Sequence, residues 1–135
     1  MLRLTKRVHA EIIGHVYDGL PDEACGLLGG DPRAGKATVF YPCENVAHSS
    51  RVYTVAPLDH LHAERDAEAR GLEILGVMHS HTHSDAYPSP TDVREAPDPT
   101  WHYVIVSVRQ DAPVLRSYGI VEGRVMEEAV ALDPR

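Results

Sequence analysis

The densest concentration of chemistry in the chain is His79-Ser-His-Thr-His-Ser-Asp-Ala-Tyr-Pro-Ser-Pro-Thr-Asp92. His79 and His81 stand two apart at the end of an apolar run, Glu73 to His81, whose composition predicts a strand. Period-2 geometry then puts both imidazoles on one face. Two neutral imidazoles side by side are a natural pair of zinc ligands. Ser89-Pro-Thr-Asp92 reads as a helix start, with Ser89 at the N-cap, Pro90 at N1 and Asp92 in the first turn. A carboxylate at that place can turn toward the strand end and serve as a third ligand. Three protein ligands leave the fourth tetrahedral position to water, the arrangement of a catalytic site and not a structural one. A bare His-x-His is common and says little by itself; the downstream Ser-x-x-Asp gives it weight.

The elements that must position these residues follow from periodicity and punctuation. Thr5 to Asp18 carries Val8, Ile12, Ile13 and Val16 near helical spacing, with Gly19-Leu-Pro21 as the stop. Glu23 to Gly30 is a short apolar run that predicts a buried strand, Asp31 to Gly35 a turn, and Lys36 to Pro42 a second strand. Residues 43–56 have no clear period and are expected to be loop, with a short strand around Val52 to Val55. Pro57 to Gly71 predicts a helix opened by proline and closed by glycine. After the histidine segment, strands are expected at His102–Val108, Val114–Ile120 and Arg124–Val130. This order of elements predicts an α/β fold with a mixed sheet.

Composition narrows the function. A chain of 135 residues fits a single domain, residues 1–135, with enough apolar content to bury a core. Acidic residues outnumber basic ones, 20 to 13, for a net charge of −7, which argues against nucleic acid as a partner. No run approaches the ~18 apolar residues of a membrane span. Met1 to Arg7 is followed by mixed residues instead of a signal peptide's apolar block, so a cytoplasmic protein is expected, with no membrane partner. Cys25 and Cys43 form neither a disulfide framework nor a zinc ribbon, and Cys25 reads as core packing.

His79-Ser-His81, seven intervening residues and Ser89-x-x-Asp92 resemble the JAMM signature of the Mov34/MPN/PAD-1 metalloproteases. That family also has a glutamate far upstream, at the start of a strand after the first helix, and Glu23 in Asp-Glu-Ala-Cys-Gly-Leu-Leu-Gly-Gly30 stands there. The resemblance covers nearly the whole chain. It implies a curved mixed β-sheet flanked by helices, the MPN fold, similar to that of cytidine deaminases. A deaminase itself would need His-x-Glu and Pro-Cys-x-x-Cys, and neither string occurs.

By the same resemblance, His79, His81 and Asp92 hold Zn2+, which acidifies a water and polarises the scissile carbonyl. Glu23 takes the water's proton and passes it to the leaving amine, a contribution of ~10²–10⁴-fold. Ser89 donates a hydrogen bond to the developing oxyanion, worth on the order of 3 kcal/mol, besides capping its helix. His83 continues the alternation, but the signature has no ligand at its position. Members resembling this chain cut after the Gly-Gly tail of ubiquitin or a ubiquitin-like protein. The near-minimal length, Thr82 in place of proline, and the strings Leu-Arg-Ser-Tyr118 and Val-Glu-Gly123 look most like the Mec-type hydrolases of bacteria. Those release cysteine from a small ubiquitin-like sulfur-carrier protein with a C-terminal Gly-Gly, whose tail would enter a groove lined by Asn45 to Tyr53. An isopeptidase for another ubiquitin-like protein and a non-catalytic MPN scaffold remain alternatives. Scaffolds of that kind lack one or more motif residues, and here all five are present.

Overall fold

A computed structural model describes residues 1–134 and orders the elements as β1 (Leu2–Thr5), α1 (Lys6–Gly19), β2 (Cys25–Asp31), β3 (Lys36–Cys43), α2 (Pro57–Ala69), β4 (Glu73–His81), α3 (Pro90–Arg94), β5 (His102–Ser107), β6 (Val114–Val121), β7 (Arg124–Glu128) and β8 (Val130–Asp133). The eight strands form one mixed sheet in the order β7-β6-β5-β4-β2-β3-β1-β8. The central strand β4 runs antiparallel to β2 and parallel to β5.

Local signals place the helices. Thr5 caps α1, its Oγ1 accepting the Val8 N–H at 3.1 Å, and Val8, Ile12 and Val16 form the buried stripe. Pro57 opens α2, and Gly71 takes the left-handed φ of +72° that ends it. One face of the sheet packs with α1 around Leu28, Phe40, Met78, Val104 and Val106. The other packs with Ala63 of α2 around Leu27, Val77, Tyr103, Ile105 and Tyr118, with Val93 of α3 alongside. That second face carries the candidate site.

Three expectations need correction. β1 was not anticipated: only Leu2 and Leu4 are buried, and a two-point alternation is too short to announce a strand. The expected strand at 52–55 is a single bridge, Asn45 to Val55, flanked by the backbone bonds Val46 N–H to Thr54 and Ala56 N–H to Glu44; beyond these two bonds the Asn45 side chain takes over the pairing. The expected strand 124–130 is two strands separated by Ala129. β7 pairs with β6 at one edge of the sheet, whereas β8 pairs with β1 at the other. The sheet therefore curls until its two edges are one residue apart along the chain. Register shifts in β2, at Gly29/Gly30 against β3 and at Leu28/Gly29 against β4, provide local bends. A Cβ on Gly30 would collide with the Lys36 carbonyl oxygen, so the bend needs glycine. Among the described residues no helix is long and apolar enough to cross a membrane.

Candidate active site

The site forms where β4 ends. Ser80 points away from the site face, and its Oγ accepts the Ala24 N–H at 2.8 Å while its own N–H donates to the Ala24 carbonyl at 3.0 Å. This pairing extends the β2–β4 ladder past Cys25–His79. Glu23, the next residue back, comes close enough to His81 for their charges to interact. Glu23 thus precedes β2 instead of lying within it, on backbone held by the neighbouring strand.

His79 and His81 are both buried on the α2 face. Their Nε2 atoms lie 3.0 Å apart, and Asp92 Oδ2 lies 3.1 Å from each. Asp92 reaches them from the first turn of α3, where Ser89 Oγ accepts the Asp92 N–H and Asp92 Oδ2 accepts the Ser89 N–H. Two imidazole nitrogens and a carboxylate oxygen form a nearly equilateral triangle and are the described residues' one cluster able to hold a metal ion. The donor set fits such an ion: a tetrahedral centre ~2.0–2.1 Å from each ligand sets its donors ~3.3 Å apart. His81 is also oriented from behind, its Nδ1 donating to the Asp85 carbonyl at 2.7 Å, which leaves Nε2 as the lone-pair nitrogen of the neutral ring.

Burial favours the neutral ring of His79 and takes its pKa below the ordinary histidine value, against the attraction of Asp92. Burial opposes charge on His81 too, but Asp92, the Asp85 carbonyl and Glu23 outweigh it and raise the pKa. Desolvation also works against the Asp92 carboxylate. Hydrogen bonds from His79, His81 and the Ser89 N–H prevail and hold it well below the usual carboxylate range. Glu23 is 5% exposed, and burial pushes its carboxyl up to about 8, with His81 pulling it down and Asp92 adding to the rise.

Of the five candidate residues, His79, His81 and Asp92 meet in one cluster, Ser89 is bonded to Asp92, and Glu23 lies within range of the charges of His81 and Asp92, whereas His83 stays outside the cluster, exposed and bonded to Thr82 Oγ1. Cys25 packs in the core beside Cys43, both as free thiols. The segment 43–56, which has no clear period, supplies two residues for which the sequence suggested only a place along a groove. Tyr53 stacks on the His79 ring, with centroids 4.3 Å apart and planes 17° from parallel. Asn45 is buried and makes five hydrogen bonds to backbone groups. The one sequence signal for it is the preference of asparagine for side-chain-to-backbone turns. Beside Asp92 lies a cavity of about 250 Å³, lined by Leu27, Val52, Tyr53, Val55, Val77 and Trp101 among others. Val52 and Tyr53 fall within the segment expected to line a groove; Asn45 instead sits beneath it, holding the loop.

Residues 5–121 match the family of prokaryotic homologues of the JAB domain. The chain is 38% identical over 120 residues to the CysO-cysteine peptidase of Mycobacterium tuberculosis, covering 88% of this chain and 82% of that one. It is 35% identical over 111 residues to the desampylase of Haloferax volcanii, covering 78% and 80%. The solution structure of protein DSY2949 from Desulfitobacterium hafniense superposes with a TM-score of 0.92 at 36% identity, covering 100% of this chain and 94% of that one.

Proposed function

Since this chain belongs to the prokaryotic JAB-domain family of JAMM hydrolases, we propose that it is a zinc-dependent enzyme that cleaves the amide bond after the Gly-Gly tail of a small ubiquitin-like sulfur-carrier protein in the cytoplasm, releasing cysteine. The observation that carries the proposal is the convergence of His79 Nε2, His81 Nε2 and Asp92 Oδ2 at one strand end, with buried Glu23 near enough for its charge to act on that of His81. Similarity to the CysO-cysteine peptidase supports the choice of substrate.

His79, His81 and Asp92 would hold the zinc. When bound, zinc supplies a Lewis acid for the carbonyl and brings the pKa of a water to about 7. Glu23 takes a proton from the attacking water and returns it to the leaving amine. A carboxyl whose proton affinity is lifted toward neutrality by burial is suited to do both. Ser89 Oγ already accepts the Asp92 N–H, so its own O–H is free to donate to the oxyanion that develops on the carbonyl. The carrier's tail would lie extended along the 43–56 segment and over the apolar cavity, where glycines let the backbone approach closely.

The test is to offer the enzyme a carrier ending in Gly-Gly-Cys and an isopeptide-linked ubiquitin dimer side by side, with and without a chelator. Chelator-sensitive release of cysteine from the carrier is the expected result. Cleavage of the dimer with the carrier adduct left intact overturns the substrate assignment. Zinc content close to one per chain in the wild type, retained in a His79→Ala/His81→Ala double variant, overturns the metal assignment.

A further inference from the structure

The two histidines of the cluster are oriented by different means. His81 is fixed from behind by the Asp85 carbonyl on Nδ1. Among the described residues no hydrogen bond reaches Nδ1 of His79; its bonds are all made by Nε2. A ring bonded through one nitrogen can still swing about that contact, so packing must set its plane. Tyr53 provides the packing. Its ring lies 4.3 Å from His79 at 17° from parallel, whereas His81 meets the same imidazole edge-on, at 4.9 Å and 63°.

A stacking partner is useful only if it is itself held, and Tyr53 belongs to a segment without helix or strand. Asn45 holds it. The Nδ2 group donates to the Val52 carbonyl at 3.1 Å, and Oδ1 accepts the Thr54 N–H at 3.0 Å. Asn45 therefore grips the chain immediately before and immediately after Tyr53. The same Nδ2 donates to the Glu23 carbonyl at 3.0 Å, and the Glu23 N–H donates to the Ser49 carbonyl at 2.8 Å. One buried amide thus ties Glu23 and Tyr53 to a common frame.

We infer that Tyr53 is a positioning residue, held by the Asn45 clamp, whose ring fixes the plane of His79 so that Nε2 points into the His79–His81–Asp92 triangle. The inference rests on that triangle being a metal site, and on stacking rather than the phenol hydroxyl, for which no hydrogen bond is formed among the described residues. Groups that orient a metal ligand typically change metal affinity by ~10–100-fold when removed.

The experiment measures zinc affinity by competition with a chromogenic chelator for the wild type, Tyr53→Phe, Tyr53→Leu, Tyr53→Ala and Asn45→Asp. Thermal unfolding of each metal-free protein and the split between kcat and KM are recorded alongside. Asn45→Asp keeps the acceptor for Thr54 and removes the donor to Val52 and Glu23. Expected is near wild-type zinc affinity for Tyr53→Phe, and loss of ~10-fold or more for Tyr53→Leu, Tyr53→Ala and Asn45→Asp. Tyr53→Leu fills the space without a flat face and decides the matter if Tyr53→Ala does not fold. Wild-type affinity in Tyr53→Leu overturns the inference, as does equal loss in Tyr53→Phe. A raised KM with zinc affinity intact also overturns it, by making Tyr53 a substrate contact. Failure of the wild type to bind zinc would instead sink the metal assignment itself.

Discussion

Ser89 and Asp92 hold each other's backbone: Ser89 Oγ accepts the Asp92 N–H at 3.0 Å, and Asp92 Oδ2 accepts the Ser89 N–H at 2.8 Å. The oxygen that closes this capping box is the one that lies 3.1 Å from both His79 and His81. Starting the five-residue helix α3 and presenting the third donor are therefore one act. The helix is too short to be stable alone, and its cap fixes where the carboxylate stands.

Ser89→Ala separates the two duties assigned to this hydroxyl. Losing the cap should cost about 1 kcal/mol, which lowers the unfolding midpoint by a few degrees, at most about 5 °C. Losing the oxyanion donor should lower kcat by ~10²-fold or more. Thermal unfolding and steady-state rates on a Gly-Gly-Cys carrier check both. A lowered midpoint with unchanged kcat would leave Ser89 as a cap alone.

Glu23→Gln removes the proton carrier and keeps the shape. The variant should bind zinc at the wild-type level and lose ~10²-fold or more in kcat. Metal analysis and single-turnover rates on the same preparation decide it. Loss of zinc in this variant would make Glu23 a ligand and leave the chain without an assigned base.

The parts of this site legible in the sequence are those governed by short-range rules. His79 and His81 share a face because side chains alternate along β4, and Ser89 caps because its hydroxyl reaches three residues ahead. That Asp92 meets both histidines depends on where α3 docks; its place in a first helical turn made it a candidate third ligand, and the family resemblance gave it that role. Asn45 was hidden for a similar reason. Its partners span Glu23 to Thr54, a pairing no periodicity encodes. In the sequence β8 continues β7 without a signal, since Glu128-Ala-Val130 contains no glycine or proline; the break comes from the chain passing between opposite edges of a curled sheet. β1 was too short for its alternation to register.

The raised pKa of Glu23 makes a prediction about the metal-free protein. A carboxyl whose folded pKa of about 8 exceeds its unfolded value of 4.5 binds more protons in the folded state. Its burial then costs nothing below the unfolded pKa, and stability falls as pH rises from there through about 8. Glu23→Gln cannot ionise and escapes this slope. The metal-free variant should match the wild type near pH 4.5 and unfold at a higher temperature at pH 8. Even one pKa unit of the shift is worth about 1.4 kcal/mol, or roughly 3 °C or more for a protein of this size. Calorimetry of both proteins at the two pH values is the check. Parallel pH profiles would mean that Glu23 ionises freely when the metal is absent.

Zinc binding should release close to one proton from the histidine pair, not two, when the metal is loaded at mildly acidic pH. Imidazoles must be neutral to bind a metal, so a proton on either ring competes with the ion. Burial keeps His79 neutral and takes its pKa below the ordinary value, so it offers no competition near pH 6. His81 is the opposite case, its protonated form favoured by Asp92 and the Asp85 carbonyl despite burial. Asp92, held far below the carboxylate range by the same contacts, is already ionised. Apparent zinc affinity should then fall by about tenfold for each pH unit below the His81 pKa, where loss of two protons would make the fall about a hundredfold. Glu23 also holds a proton near neutrality and would add to the count if it ionised on loading, so the titration belongs in Glu23→Gln. Chelator competition in that variant, in steps of half a pH unit from 5 to 8, gives the slope. A slope near two would show that His79 is protonated in the metal-free protein and that its burial does not keep it neutral. A flat profile would show that His81 is already neutral in the metal-free protein and that its contacts do not raise its pKa.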